Sequence, residues 1–167
     1  MLFLRKITIS KWPTNRTEAI KTAKDCLADS VNDVRTQQAV LSFWDCSLDE
    51  VKDELCANIV LGGSKIERIS NFVVLDSEEL LKMGMNYNNT PNQAKCIIDG
   101  LDKYHYDVTV GDLENLEKVI IYISNIVLSD ICRIKRENII NAIKKAYSEG
   151  RLKTESIDEN ILKQLNL

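Results

Sequence analysis

One histidine and no paired thiols set the first limits on this chain. Five cysteines (Cys26, Cys46, Cys56, Cys96, Cys132) lie far apart with no C-x-x-C spacing. A tetrahedral zinc site therefore lacks its ligand pattern, and no metal or cofactor is expected. An odd, scattered set is also unlike the dense, even set of a disulfide-framed secreted domain. Reduced thiols and a cytoplasmic location are expected. Two prolines and six glycines exclude collagen-like and proline-rich classes. Neither G-x-G-x-x-G nor G-x-x-x-x-G-K-[ST] occurs, so dinucleotide and P-loop chemistry lack their phosphate cradle. G-x-S-x-G and H-E-x-x-H are missing too, and no catalytic residue is assigned. Gly62-Gly63 follows a helical stretch and reads as its C-terminal stop. The most apolar run, Val119–Ile123, is interrupted by Ser124 and Asn125, well short of the roughly 20 residues that cross a bilayer. At the N-terminus Arg5 and Lys6 follow the apolar residues, the reverse of a secretory signal.

What remains is a chain of 167 residues, 44% hydrophobic and 28% charged, with a formal charge of −3. That length and apolar content suit a single domain over 1–167 with its own core. The charge is unevenly spread. Seven basic residues between Arg133 and Lys153 face only Glu137 and Glu149, so the body before them is acidic. An acidic body disfavours nonspecific binding to phosphates.

Phe3–Ile9 is rich in β-branched residues and reads as an opening strand that Trp12-Pro13 ends. Thr17–Asp29 sets Ala19, Ile20, Ala23, Cys26 and Leu27 on one helical stripe. Val40–Trp44 is a second strand. Ser47 and Glu50 form a capping box for a helix running to Gly62. Phe72–Leu75 is a buried strand, followed by a short helix capped at Asp76 or Ser77 and closed by Gly84. Met85–Asn89 is a polar loop. Thr90-Pro91-Asn92-Gln93 predicts another helix, carrying Ala94, Ile97, Ile98, Leu101 and Tyr104. Tyr106–Val110 is a fourth strand. Asp112 caps a helix over 113–128, 136–148 is helical, and Ser156 with Glu159 boxes a terminal helix. About four strands in one sheet packed by helices define an α+β (or α/β) fold, with residues 130–167 as a helical extension of it.

Three groups of residues could carry function. The first is acidic: Asp45, Asp49, Glu50, Asp53 and Glu54, opposed only by Lys52. On a helix it forms a solvated face, or a docking surface that steers a basic protein partner. The second is a possible ligand site of Asp33, Arg35, Trp44, His105 and Asp107 meeting at strand ends. Histidine titrates near neutrality and an aspartate can orient it, although neighbours along a strand face opposite ways. The third is basic, with Arg133, Lys144, Lys145 and Arg151 as nucleic-acid contacts. No aromatic platforms interleave with them. Cys46, beside a helix start, is a further candidate nucleophile if the dipole lowers its pKa.

Lys11-Trp12, Asp33-Val34-Arg35-Thr36 and Leu41-Ser42-Phe43-Trp44 resemble a group of small uncharacterised bacterial proteins, the likeness covering residues 1–110. It implies a bacterial origin and transfers no activity. The preferred expectation is a non-enzymatic protein-binding protein, in its most concrete form an immunity- or antitoxin-like inhibitor of a toxin. The alternatives are an enzyme or small-ligand binder built on the second group, and nucleic-acid binding through the third. A membrane partner is not expected, and self-association is left open.

Overall fold

A computed structural model describes residues 1–26, 28–34 and 40–166. Among these, six strands form one antiparallel sheet: β1 (Leu2–Ile7), β2 (Val40–Asp45), β3 (Ile69–Asp76), β4 (Asn86–Asn89), β5 (His105–Thr109) and β6 (Cys132–Lys135). Their order across the sheet is β4-β5-β2-β1-β3-β6. The α+β expectation therefore holds in its coarse form, with two strands beyond the four that the sequence predicts. The α-helices are α1 (Ala28–Val34), α2 (Asp49–Leu61), α3 (Ser77–Lys82), α4 (Leu113–Ser129), α5 (Arg136–Ser148) and α6 (Glu159–Leu165).

The sheet is hydrophobic on both sides because its central strands alternate two apolar sets. Leu4, Trp44 and Phe72 pack on one side with α2, α5 and α6. Phe3, Phe43, Val73 and Leu75 pack on the other with α1, α4 and Leu80 of α3. Period-two alternation on a pleated strand dictates this division. Between β2 and β3, α2 carries the chain past β1, whereas α4 carries it from β5 to the opposite edge at β6. Asp76 and Asp112 cap α3 and α4 as expected, accepting from Glu78 N and Asn115 N. Gly84 ends the α3 segment at φ +88°, a conformation open to glycine at little cost.

Several local expectations fail, each because a tertiary partner takes the backbone or the capping group. The 17–29 helix is replaced by one 3₁₀ turn at Ala23–Asp25 and by α1, which starts later. Asn125 spends its amide on both backbone groups of Ile20, accepting from N at 2.8 Å and donating to O at 3.0 Å. Those groups are then lost to a helical ladder. Leu27 of that stripe lies outside the described residues.

The helix expected after Thr90 reduces to 3₁₀ turns at Pro91–Gln93 and Asp102–Tyr104. Asn58 Oδ1 on α2 accepts from Ile97 N and Ile98 N at 2.8 and 3.0 Å, while Lys153 N donates to Ile97 O. Ile97, Ile98 and Leu101 are buried as the stripe required, but in an irregular segment. Ser47 does not cap α2; its hydroxyl accepts from Leu2 N and donates to Asp45 Oδ1. Asp158, not Ser156, caps α6. Met85–Asn89 is not a loop, since Asn86–Asn89 pairs with β5. Tyr87 anchors it with its ring centroid 5.1 Å from that of Phe3.

Candidate functional site

The acidic and basic groups, separate in sequence, meet where α2 packs on α5. Glu54 turns inward with only 10% of its side chain exposed. Its Oε1 lies 3.0 Å from Lys145 Nζ and 2.9 Å from Arg151 Nη2. Arg151 also grips Glu149. Burial pushes the Glu54 carboxyl up, but hydrogen bonds from Arg151 and Lys145 outweigh it and hold its pKa below the ordinary value. The same bonds raise Lys145 and Arg151. Glu54, Lys145 and Arg151 are therefore committed to one another, whereas Lys144 and Arg133 are exposed.

Asp49, Glu50 and Asp53 stay exposed on α2 and make no ion pair among the described residues. Asp49 and Glu50 occupy the first turn, where negative charge complements the helix dipole. Leu48, at 48% exposure, sits at the head of this face. A groove of about 420 Å³ runs beside it, lined by Glu50, Asp53 and Glu54 from α2 and by Asn138, Asn141 and Lys145 from α5. Asp45 is tied down, accepting from Ser47 N at 3.0 Å and from its hydroxyl at 2.6 Å.

Of the second group, Trp44, His105 and Asp107 come together and Asp33 does not. Trp44 and His105 face each other across β2 and β5, with ring centroids 5.1 Å apart at 72°. His105 is buried, and its Nδ1 lies 2.9 Å from Thr90 Oγ1 and 3.0 Å from Thr90 O. Its Nε2 is 3.9 Å from Asp107 Oδ1, which accepts from Ser42 Oγ at 2.8 Å. A serine activated for attack would donate to the histidine. Here Ser42 donates to the carboxylate, and Thr90 engages the far ring nitrogen.

Asp33 belongs to the other side of the sheet, where it is spent on structure. Its carboxylate accepts from Trp12 Nε1 at 2.8 Å, Lys11 Nζ at 3.2 Å and Thr8 N at 3.3 Å. Arg5 Nη2 donates to its backbone O, while the Arg5 guanidinium lies 5.6 Å from the Phe43 ring centroid. Arg35 lies outside the described residues.

Cys46 is not the activated thiol its position suggested. It is buried, and desolvation pushes its pKa up to about 11, outweighing the opposite pull of Lys52. Cys56 is raised by burial as well. Among the described residues no group of three His, Cys, Asp or Glu could hold a metal ion, and no helix is long and apolar enough to cross a membrane.

One cluster is invisible in the sequence. Pairing of β3 with β6 brings Arg68 beside Lys135 and Arg136, around a hollow of about 460 Å³ that includes Ile69 and Ile140. The alternation Cys132-Arg133-Ile134-Lys135 is its one local trace, too short to stand as a strand signal. No family model matches the chain, and no curated protein or solved structure does.

Proposed function

We propose that this chain is a non-enzymatic protein-binding protein whose exposed α2 acids dock a basic partner, with an immunity- or antitoxin-like inhibitor of a toxin as its concrete form. The supporting observation is the division of the acidic group. Glu54 is neutralised inside the fold, while Asp49, Glu50 and Asp53 remain uncompensated around exposed Leu48. Uncompensated surface charge of one sign raises association rates with an oppositely charged partner. An apolar residue among those charges supplies area that a bound complex can bury.

The internal bonding of Ser42, Asp107 and His105 supports the same reading, because Ser42 donates to Asp107 and not to His105, whose Nδ1 is held by Thr90, so the set is not arranged as an activated nucleophile. The test is capture from the source cell at low salt, with the product of the adjacent gene co-expressed. Wild-type protein is expected to retain a basic partner that the triple variant Asp49→Lys, Glu50→Lys, Asp53→Lys loses. Association with that partner is expected to slow steeply as salt rises. A wild-type monomer that retains nothing at low salt counts against the proposal.

A further inference from the structure

We infer that the outer edge of β6 accepts an extended acidic segment of a partner protein as a seventh strand. The backbone supplies the first argument. Arg136 N donates to Arg68 O at 3.0 Å, and the register continues through Lys135 with Ile69, Ile134 with Ser70 and Arg133 with Asn71. Antiparallel ladders alternate hydrogen-bonded and non-bonded pairs, so Ile134 and Cys132 spend their backbone groups on β3. The N–H and C=O of Arg133 and the N–H of Lys135 then point off the edge, where no described strand pairs with them.

The side chains say what kind of strand fits. Arg133 and Lys135 are exposed at alternate positions of β6, and Arg68 is exposed on the neighbouring turn. None of the three makes an ion pair among the described residues. Arg136 makes one weak hydrogen bond, to Gln164 at 3.4 Å. Arg68, Lys135 and Arg136 line the hollow together with Ile69 and Ile140, with Glu137 as the acid in its lining, and Arg133 lies two residues before Lys135 on the same strand. Positive charge on an edge strand repels basic strands, and the cost of desolvating it disfavours uncharged ones, which guards against indiscriminate pairing. The same charges select a strand bearing Asp or Glu at alternate positions, whose intervening apolar side chains fall on the opposite face, that of Cys132 and Ile134. A nucleic acid would leave the edge amides unused and finds no aromatic platform in this lining. This surface is distinct from the α2 acids and carries the opposite charge.

The test uses the full chain and a dye-labelled eight-residue peptide of alternating Glu and Val, followed by fluorescence anisotropy in low salt. The acidic peptide is expected to bind, and its Lys-for-Glu counterpart is not. Of two versions N-methylated on alternate amides, one is expected to lose about tenfold in affinity, the scale of one strand hydrogen-bonding set. Arg133→Pro, which removes only an outward N–H from the ladder, is expected to weaken binding more than Arg133→Ala. Arg133→Glu with Lys135→Glu is expected to abolish it, while the α2 triple variant binds as wild type. Equal binding of both N-methylated peptides overturns the inference, because charge alone then suffices. So does tighter binding of a single-stranded oligothymidine, which assigns the patch to nucleic acid, or loss of binding in the α2 variant.

Discussion

Replacing Glu54 by alanine removes a carboxylate that ties α2 to α5 and to the segment at Arg151. The carboxylate accepts from Lys145 and Arg151 at 3.0 and 2.9 Å, both charge-assisted bonds. Deleting one member of a buried pair costs most when it strands the other, which is not the case here. Lys145 is 59% exposed and returns to water, and Arg151 keeps Glu149. The alanine also escapes the desolvation that the carboxylate suffers. These offsets place the loss at about 2 kcal/mol rather than at the upper end for buried pairs. For a chain of this size that corresponds to a fall of about 4–8 °C in Tm at neutral pH.

The pH dependence has a fixed sign. Because folding lowers the Glu54 pKa, its stabilisation is full above the unfolded value of about 4.3 and fades as pH falls through the folded one. Thermal unfolding followed by circular dichroism should therefore show the gap between wild type and Glu54→Ala closing in acid. Two results would refute the reasoning: no gap at pH 7, or a gap of constant size down to pH 3.

With the Cys46 pKa at about 11, only about one thiol in a thousand is ionised at pH 8, so iodoacetamide should label Cys46 and Cys56 no faster than the chain unfolds. Mass spectrometry of briefly treated native protein checks this, and prompt native-state labelling of Cys46 would contradict its burial. Gly84→Ala should cost about 1 kcal/mol in denaturant titrations, from backbone strain alone. A methyl group added there meets nothing closer than Asn115 Oδ1 at 4.0 Å, so a loss beyond about 3 kcal/mol would point to a clash instead. In a double-mutant cycle, His105→Ala and Thr90→Val should couple by about 1 kcal/mol, and strict additivity would mean that their hydrogen bond contributes nothing.

The sequence anticipates elements whose information is local and misses those set from a distance. Helix α5 occupies the span its sequence predicts, because Ile139, Ile143 and Ala146 repeat at helical spacing and Gly150 stops it. Asp76 and Asp112 are equally transparent, since a cap is a contact between near neighbours. By contrast, Asn58 and Asn125 each override a helical stripe from another part of the chain, and no window around Ile20 or Ile97 contains that fact. Strand β4 reads as a loop because its asparagines disfavour strands; Tyr87 and the partner β5 decide it.

The candidate groups divide in the same way. Helical periodicity places Asp49, Glu50 and Asp53 on an outward face. It cannot reveal that Glu54, one residue further, meets two cations from the far end of the chain. Trp44 and His105 face each other through strand register, which only the assembled sheet fixes.

The position of β3 has a consequence during synthesis. It lies between β1, made before it, and β6, made long after it, while the apolar side of α2 waits for α5. A nascent chain that has reached Asp76 but not Cys132 thus carries an open row of amides beside an uncovered greasy helix. Such surfaces recruit other chains. A ribosome pausing within that interval should produce more aggregate than one pausing after β6 has emerged.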